Sequence, residues 1–335
     1  RAGGALVAPR VAAQWGGVFP APRPAPPIAP PADSPTSGAV PDFGHVVVLV
    51  LENTDYAETF GPGGAQRAPY LNRLADDYAL ATDYYGVDHA SLSNYIAMVS
   101  GQAPKLSTKV DCPFYNCHYD ASVPHLGDQV EASGRTWKAY MDGMTAPCQH
   151  GDIGAFDPYF FHLPPFNTYA TRHNPFMYFH DVIDDPARCA AHDVPYPQLD
   201  ADLASGTLPN LSFISPDLCH DGHEDQCGLA AADAWVSQEV PKLLASPQFQ
   251  EDGVLFITFD EAEGDDASGC CGNSAGGLIG NVVVSPAYGR TGGFRGATPA
   301  NHYSLLRTIE DAWGLQLLGH AQDDGIGPMT EFFRP

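Results

Sequence analysis

The sequence has few positive charges and no long apolar run. Its 335 residues carry 16 Lys and Arg against 40 Asp and Glu, a formal net charge of −24, and only four of the cations are lysines. This excess of negative charge argues against nucleic acid or an anionic membrane as a bulk partner, and a small anionic substrate would need local cations or a metal. Because no stretch of 20 apolar residues occurs, stable membrane insertion is not expected either.

The Cys-x-x-Cys spacing of structural zinc sites is also absent, although the chain has eight cysteines. An even number without that spacing favours disulfide bonds. It therefore favours a secreted, periplasmic or extracellular protein whose signal peptide has been removed or lies outside this sequence. Connectivity cannot be deduced from sequence alone. We expect the pairs Cys112–Cys117, Cys148–Cys189 and Cys219–Cys227, and we leave the adjacent Cys270 and Cys271 unassigned.

Two apolar runs stop abruptly at polar side chains. Residues 45–51 are followed by Glu52-Asn53, and residues 254–259 are followed by Asp260-Glu261. Each run is typical of a strand covered on both faces of an α/β sheet, in which ligands bind beyond the carboxyl ends of the strands. Clustered carboxylates repel unless they are protonated or bridged by a cation, so the sequence predicts a divalent metal here. For either strand alone, an ordinary strand end before a turn is the alternative.

Strand and helix patterns alternate along the rest of the chain, which predicts a mostly parallel sheet with helices on both faces. Residues 1–40, rich in Pro and Ala, are expected to be an arm or linker. Residues 41–335 are expected to be a single domain with an irregular, aromatic excursion at 142–200. The predicted helices cover 68–81, 88–101, 230–244 and 301–313, and the further strands cover 136–141, 208–215 and 281–284.

Ser91 stands where the helix predicted at 88–101 begins, between His89 and Asn94. A hydroxyl at a helix N-terminus can be activated by a metal, while the Asn94 amide and backbone N–H groups hold a phosphoryl oxygen. The alternative role for Ser91 is an ordinary N-cap, which serine often provides.

The segment 217–225 contains two histidines and four acids, and all of these except Asp217 lie between Cys219 and Cys227. It fits neither an EF-hand loop nor a His-Glu-x-x-His zinc motif. It is either a site-lining loop closed by a disulfide or a solvated acidic turn. His173 and His302 are each weak candidates alone, because a lone histidine is more often structural.

Together these segments resemble the bacterial and fungal phosphoesterase family that contains acid phosphatases and phospholipases C, within the alkaline-phosphatase-like superfamily. The resemblance covers about residues 43–320 and implies a three-layer α/β/α sandwich with a mostly parallel central sheet. The matching pieces are Glu52-Asn53, His89-Ala-Ser-Leu-Ser-Asn-Tyr95, Asp217-Leu-Cys-His-Asp-Gly-His223, Asp233-Ala-Trp235, Asp260-Glu261 and Asn301-His-Tyr-Ser304.

The resemblance also implies roles for individual residues. Ser91 would be the nucleophile that forms a phosphoserine, Asn94 would hold phosphate, and Asp221 would orient a histidine. One divalent metal would occupy an oxygen-rich site, for which Ca²⁺, Mg²⁺ or Mn²⁺ is favoured over Zn²⁺. The implied metal ligands are Glu52, Asn53, Ser91, Asp260 and Glu261, and the histidines implied to line the phosphate pocket are His89, His173, His223 and His302.

Three positions depart from the family pattern. Ala90 and Ser93 stand where proline is common, and we expect an effect on loop rigidity only, since neither supplies a functional group. Gly222 stands where a larger residue is common, which leaves the assignment between His220 and His223 open.

The expected activity is that of an acid phosphatase that hydrolyses small phosphate monoesters, fastest on the acid side of neutral if protonated histidines supply the positive charge. One alternative is a phospholipase C or phosphodiesterase acting on lipid or choline diesters, for which the aromatic stretch Phe156–Phe179 would form the approach. A second alternative is a secreted binding protein in which the acids hold structural calcium. Nothing in the sequence predicts the oligomeric state.

Overall fold

A computed structural model of the protein describes residues 40–161, 168–224, 226–264 and 266–335. The arm predicted at 1–40 therefore lies outside the described residues apart from Val40, as do Asp225 and part of the aromatic excursion. In the described part of the chain, no helix combines the length and the apolar character that crossing a membrane requires.

The described chain contains ten strands in two sheets. They are β1 His45–Leu51, β2 Ala79–Ala81, β3 Tyr84–Tyr85, β4 Trp137–Met141, β5 Asp193–Pro195, β6 Leu211–Ser215, β7 Gly253–Phe259, β8 Asn281–Val284, β9 Phe294–Gly296 and β10 Ala300–Asn301. The central sheet has the order β5-β4-β6-β1-β7-β8-β2-β9, and every neighbouring pair is parallel except those that β8 makes with β7 and β2. β3 and β10 form a short parallel pair beside it.

Helices cover the sheet in two groups. The α-helices are α1 Tyr56–Thr59, α2 Gly64–Arg67, α3 Pro69–Asp77, α4 Ser91–Ser100, α5 Leu126–Ala132, α6 His180–Ile183, α7 Pro186–His192, α8 Pro197–Ser205, α9 Gly228–Leu244, α10 Pro247–Asp252 and α11 His302–Trp313. α4 packs against α5 and α11, whereas α9 packs against α3 and α8. The predicted α/β sandwich with a mostly parallel sheet is confirmed.

The register of the central strands decides where the polar side chains meet. β1 and β7 are buried along nearly their whole length, and Leu51 pairs with Phe259 at their carboxyl ends. Glu52 and Asp260 therefore emerge side by side. One strand farther along, Met141 at the end of β4 pairs with Ser215 at the end of β6, so the loops that follow these strands open at the same edge.

Two predicted elements differ from the structure. The helix expected over 68–81 ends at Asp77, because Ala79–Ala81 pairs with β8 and β9, and such a distant partner is invisible to local periodicity. The excursion at 142–200 is less irregular than expected, since it contains α6 and α7 as well as β5, which forms one edge of the sheet.

All eight cysteines are paired in the structure. The three expected disulfides, Cys112–Cys117, Cys148–Cys189 and Cys219–Cys227, are confirmed. The remaining Cys270 and Cys271 are bonded to each other in the loop between β7 and β8.

Candidate active site

Ser91 is the first residue of α4, and its side chain points to the end of β1. Its Oγ donates a hydrogen bond to Glu52 Oε2 over 2.9 Å, and Tyr95 from the next helical turn donates to Glu52 Oε1 over 2.6 Å. The preceding residue Ala90 occupies the N-cap position, so Ser91 does not cap the helix. The alternative role of Ser91 as an ordinary N-cap is therefore wrong. Its buried hydroxyl is hydrogen-bonded to a buried carboxylate.

The acids that follow β7 lie on the other side of the same opening. Asp260 Oδ1 accepts a hydrogen bond from the backbone N–H of Asn53, which has the left-handed φ of 45° that asparagine tolerates better than most residues. Glu261 Oε2 accepts from the backbone N–H of Ala90 over 2.9 Å and lies 3.1 Å from His89 Nδ1. The predicted metal ligands thus converge around the start of α4.

Two of the predicted histidines also reach this cluster. His173 donates from Nδ1 to Asp221 Oδ2 over 3.0 Å, and its Nε2 lies 3.4 Å from Glu52 Oε2. His223 Nδ1 lies 3.4 Å from the same Glu52 oxygen and 2.9 Å from Asn53 Nδ2. Asp221 therefore has the orienting position that the resemblance implied, with His173 as its partner.

The choice between the two histidines of the disulfide-closed loop is settled by their contacts. His223 joins the site, whereas His220 pairs with Asp142 over 2.7 Å and with Asp217 over 3.1 Å. Gly222 has a φ of 95°, which glycine adopts without strain. A residue with a side chain would be strained at this φ, so glycine suits the turn between Asp221 and His223.

His302 and Asn94 do not have the positions that the resemblance implied. His302 is fully buried, donating from Nε2 to the backbone oxygen of Asp260 over 2.6 Å, with Tyr84 on its other nitrogen, and this burial lowers the pKa of His302 to about 4. The Asn94 side chain is equally buried, and among the described residues its hydrogen bonds go to backbone groups of residues 87–90. Both are positioning residues: His302 supports Asp260, and Asn94 shapes the turn before Ser91.

The departures at 90 and 93 do more than change loop rigidity, so that expectation is wrong. A proline at 90 would have no N–H for Glu261, whereas Ala90 donates that hydrogen bond. The Ser93 hydroxyl donates to Thr108 Oγ1 over 3.0 Å and ties α4 to the following loop. In this chain both positions contribute hydrogen bonds around the nucleophile candidate.

The buried acids of the cluster indicate whether a cation would fit there. Burial raises the pKa of Glu52 to about 8 and that of Glu261 to about 8. Burial and the charge of Glu52 raise the pKa of Asp260 well above its usual range. Asp260 Oδ2 is buried and accepts no hydrogen bond from the described residues. A divalent cation would supply the missing partner and offset the repulsion, so these residues fit a metal.

The structure adds nitrogen atoms to the donor set. One carboxylate oxygen of Glu52 and one ring nitrogen each of His173 and His223 lie within 4.8 Å of one another. The sequence pointed to oxygen ligands alone at Glu52, and the two imidazoles that share this carboxylate were expected only in the phosphate pocket.

A cavity of about 570 Å³ opens onto the cluster, and its lining includes Asn53, His89, Ala90, His223 and Glu261. Among the described residues, its lining contains three glutamates, Glu58, Glu261 and Glu263, and no lysine or arginine, so positive charge at this wall has to come from the histidines or a bound cation. The hydrogen bond to Glu261 raises the pKa of His89 to about 9.

Arg172 is a site residue that the sequence reasoning missed. Its side chain is buried and donates from Nη2 to His223 Nε2 over 3.3 Å. Its positive charge partly offsets the rise that burial causes in the pKa of Glu52. The available signal was its place directly before His173, in a chain with few cations. Tyr95, which donates a hydrogen bond to Glu52, is the last residue of the motif at 89–95, but nothing in the sequence pointed to a role for it.

One Gly-x-Ser-x-Gly sequence occurs at residues 272–276, the pattern of the nucleophile elbow in α/β-hydrolases. Here it lies in an irregular loop and not between a strand and a helix. The Ser274 hydroxyl accepts a hydrogen bond from Asn301, the N-cap of α11. This serine has a structural setting, and Ser91 remains the nucleophile candidate.

Comparison with known proteins identifies relatives that are named as phosphatases. The chain is 27% identical over 286 residues to a probable acid phosphatase of Kluyveromyces lactis, covering 84% of this chain and 61% of that protein. It is 26% identical over 300 residues to a phosphatidylinositol-3-phosphatase of Mycobacterium tuberculosis, covering 89% of this chain and 85% of that protein. The chain therefore spans less than two thirds of the length of the Kluyveromyces relative.

Solved structures support the fold. A protein of the alkaline phosphatase superfamily from Vibrio parahaemolyticus superposes with a TM-score of 0.55 at 14% identity, covering 88% of this chain and 70% of that one. The phosphonate monoester hydrolase of Silicibacter pomeroyi superposes with a TM-score of 0.51 at 12% identity, covering 82% and 74%. At such identities the likeness concerns the fold alone. The sequence model of the phosphoesterase family matches residues 64–316, most of the chain, and the protein belongs to that family.

Proposed function

We propose that the protein hydrolyses phosphate monoesters through a phosphoserine formed on Ser91. The observation that carries the proposal is the Ser91 hydroxyl, placed at the start of α4 and hydrogen-bonded to Glu52 at the carboxyl edge of the sheet. Relatives named as acid phosphatases support the monoester as substrate.

The residues of the chain divide the work of the reaction. Glu52 accepts the hydrogen bond of the Ser91 hydroxyl and orients Oγ, while Tyr95 fixes the second oxygen of Glu52. A divalent cation held by Glu52, Asn53, Asp260 and Glu261 would lower the pKa of the Ser91 hydroxyl and offset the charge of a phosphoryl oxygen. His89, with its pKa raised to about 9, carries a proton at the cavity wall that a departing oxygen could accept.

The metal in this proposal is a single divalent ion. The carboxylate and amide oxygens favour Ca²⁺, Mg²⁺ or Mn²⁺, whereas the two imidazoles beside Glu52 would suit Zn²⁺ better. We retain the oxygen-rich set, because Asn53 Oδ1 and Asp260 Oδ2 are both buried and form no hydrogen bond with the described residues. An optimum on the acid side of neutral remains a prediction.

Phospholipase C activity on a lipid diester is the second candidate, favoured by the Phe160 and Phe161 side chains that line a cavity next to His223. Four disulfides support an oxidising compartment, so we infer that the protein is secreted or periplasmic.

The test compares two substrates on one preparation. Protein stripped of metal by a chelator receives single divalent metals, and phosphate or chromophore release is measured from a soluble monoester and from a choline or nucleoside diester. Faster release from the monoester is expected. Preference for the diester would mean that the protein is a phosphodiesterase and not a phosphatase. No release from either ester with any metal would refute the proposal.

A further inference from the structure

Cys270 and Cys271 are neighbours in sequence and are joined by a disulfide in the loop between β7 and β8. Such a bond closes a small ring through the peptide group that links the two residues, so it restricts the dihedral angles on either side of this peptide. Cys271 has a φ of 63°, in the left-handed region that residues with a Cβ seldom adopt. Opening the bond would therefore let Cys271 relax to an ordinary negative φ.

The conformation of the two cysteines sets the direction of their carbonyl groups. The carbonyl oxygens of Cys270 and Cys271 both accept hydrogen bonds from the side-chain amide of Asn301, each over 3.1 Å. The same amide donates to the Ser274 hydroxyl over 2.8 Å. A change of φ at Cys271 would turn these carbonyl groups away from Asn301.

Asn301 connects the cysteines to the helix that supports the site. It is the N-cap of α11, where its Oδ1 accepts hydrogen bonds from the backbone N–H groups of Tyr303 and Ser304. The first residue of this helix, His302, donates to the carbonyl oxygen of Asp260. The disulfide is thus linked through Asn301 and the start of α11 to the backbone of Asp260.

The same loop also holds His89, whose Nε2 donates to the carbonyl oxygen of Asp266 over 2.8 Å. After the disulfide, the backbone N–H of Ala275 donates to the carbonyl oxygen of Val87 over 2.9 Å. Between these two contacts, Cys271 packs against the small buried cluster that contains Val87. The loop therefore supports the turn that precedes the nucleophile helix α4.

A reductant can reach this disulfide. Both of its cysteines are partly exposed, and the neighbouring residues 267–269 and 272–273 are exposed. By contrast, two of the other three disulfides include buried cysteines, which are Cys112, Cys117 and Cys189. Access is a requirement for exchange with an external thiol.

We propose that Cys270–Cys271 is a thiol–disulfide exchange site through which a dithiol lowers the activity of the protein. One thiolate of the dithiol attacks a sulfur of the pair, the S–S bond breaks, and the second thiolate then attacks the mixed disulfide. The dithiol leaves as its cyclic disulfide, and the cysteines keep two electrons and two protons as thiols. Cys271 then relaxes, and both His89 and the start of α11 lose support from the loop. This inference rests on the proposed phosphoesterase activity and concerns its regulation.

The test measures phosphate release from a soluble monoester in mixtures of reduced and oxidised dithiothreitol, with divalent metal in excess. Alkylation followed by mass spectrometry identifies which cysteines are free, and the melting temperature shows that each protein is folded. The unmodified protein is compared with a serine variant, Cys270→Ser with Cys271→Ser, and with a glycine variant, Cys270→Ser with Cys271→Gly. Both variants lack the bond, but glycine adopts the left-handed φ without strain. The matched control, Cys112→Ser with Cys117→Ser, removes a different short disulfide.

Release by the unmodified protein is expected to fall roughly tenfold or more as Cys270 and Cys271 become free, because groups beside the nucleophile are displaced, and to recover on reoxidation. The serine variant should show the low rate in every mixture. The glycine variant should regain most of the rate of the oxidised protein, and neither variant should respond to the dithiol. The control should keep the response of the unmodified protein.

An unchanged rate when alkylation shows both thiols free would overturn the inference. A serine variant as fast as the oxidised unmodified protein would overturn it too, as would a pair that stays oxidised until the protein unfolds. Absence of release from the oxidised, unmodified protein is a separate failure, that of the proposed activity.

Discussion

Ser91 Oγ and Glu52 Oε2 lie 2.9 Å apart although 39 residues separate them in the chain. The contact joins the start of α4 to the end of β1. The Ser91 hydroxyl bonds to a buried carboxylate and does not cap the backbone N–H groups at the start of α4. Its role can therefore be tested apart from helix stability.

Replacing Ser91 by Ala should reduce phosphate release to the background rate while the protein stays folded. The change removes the attacking oxygen, and the helix loses no cap, because Ser91 does not provide one. Steady-state release and the melting temperature are the measurements. Ser93→Ala is the matched control, since it removes a buried hydroxyl two residues away and should cost about 1 kcal/mol of stability with activity kept. Retained turnover in the Ser91 variant would remove this residue from the reaction.

Asp260→Asn should weaken metal binding. The substitution keeps the shape of the side chain but removes the charge at the Oδ2 atom that has no hydrogen-bond partner among the described residues. Adding a divalent metal to chelator-treated protein is expected to raise the melting temperature of the unmodified protein and to raise it much less in the variant.

Asp252→Asn is the control for that experiment, because Asp252 lies at the opposite end of β7 and pairs with His45. It should respond to metal like the unmodified protein. If chelation changes neither melting nor activity of the unmodified protein, the metal site itself is disproved.

Asp221→Asn should lower kcat roughly 10- to 100-fold, the usual effect of losing the carboxylate that orients a histidine in such a site. Asp221 holds His173 Nδ1 at 3.0 Å, and His173 in turn lies beside Glu52. Asp142→Asn, which removes a partner of His220 outside the cluster, should leave kcat within about twofold. Similar losses in the two variants would mean that both act through the stability of the loops.

Asp193 should make folding stability depend on pH. Burial raises the pKa of Asp193 from 3.8 to about 7, so the folded protein keeps this carboxyl neutral while the unfolded chain ionises it. The stability that the group contributes is complete below pH 4 and is lost as the pH rises to 7, a difference on the order of a few kcal/mol.

Asp193→Asn should therefore flatten this dependence, with stability close to that of the unmodified protein at pH 4 and higher at pH 7. Urea unfolding at pH 4, 5.5 and 7 is the measurement. The exposed Asp184→Asn serves as the control. Parallel curves for the Asp193 variant and the unmodified protein would contradict the expected ionisation.

The centre of the fold was predictable because β1 and β7 are continuous apolar runs, which indicate buried strands without knowledge of their partners. β5 was not, since three residues ending in proline form a strand only when β4 offers them an edge. The same limit explains Ala79–Ala81, whose partners lie about 200 residues away in the chain.

In the site, residue identity was easier to predict than side-chain direction. The acids after the two central strands and Ser91 met as expected. His302 was assigned to the phosphate pocket from the resemblance, and Asn94 also from its place near the start of α4, but each side chain turns toward backbone groups, and a sequence does not encode that choice locally. Arg172 was missed because a single arginine has no spacing pattern that connects it to acids on distant strands.

The four disulfides differ in what their loss would do. Cys112–Cys117, Cys219–Cys227 and Cys270–Cys271 close loops with sequence separations of 5, 8 and 1, whereas Cys148–Cys189 spans 41 residues. A cross-link restricts the unfolded chain more when it closes a longer loop, so global stability against reductant depends mainly on the last of these. The short Cys219–Cys227 bond closes the loop that carries Asp221 and His223, so its loss would disturb the position of these two side chains while costing less global stability than the loss of Cys148–Cys189.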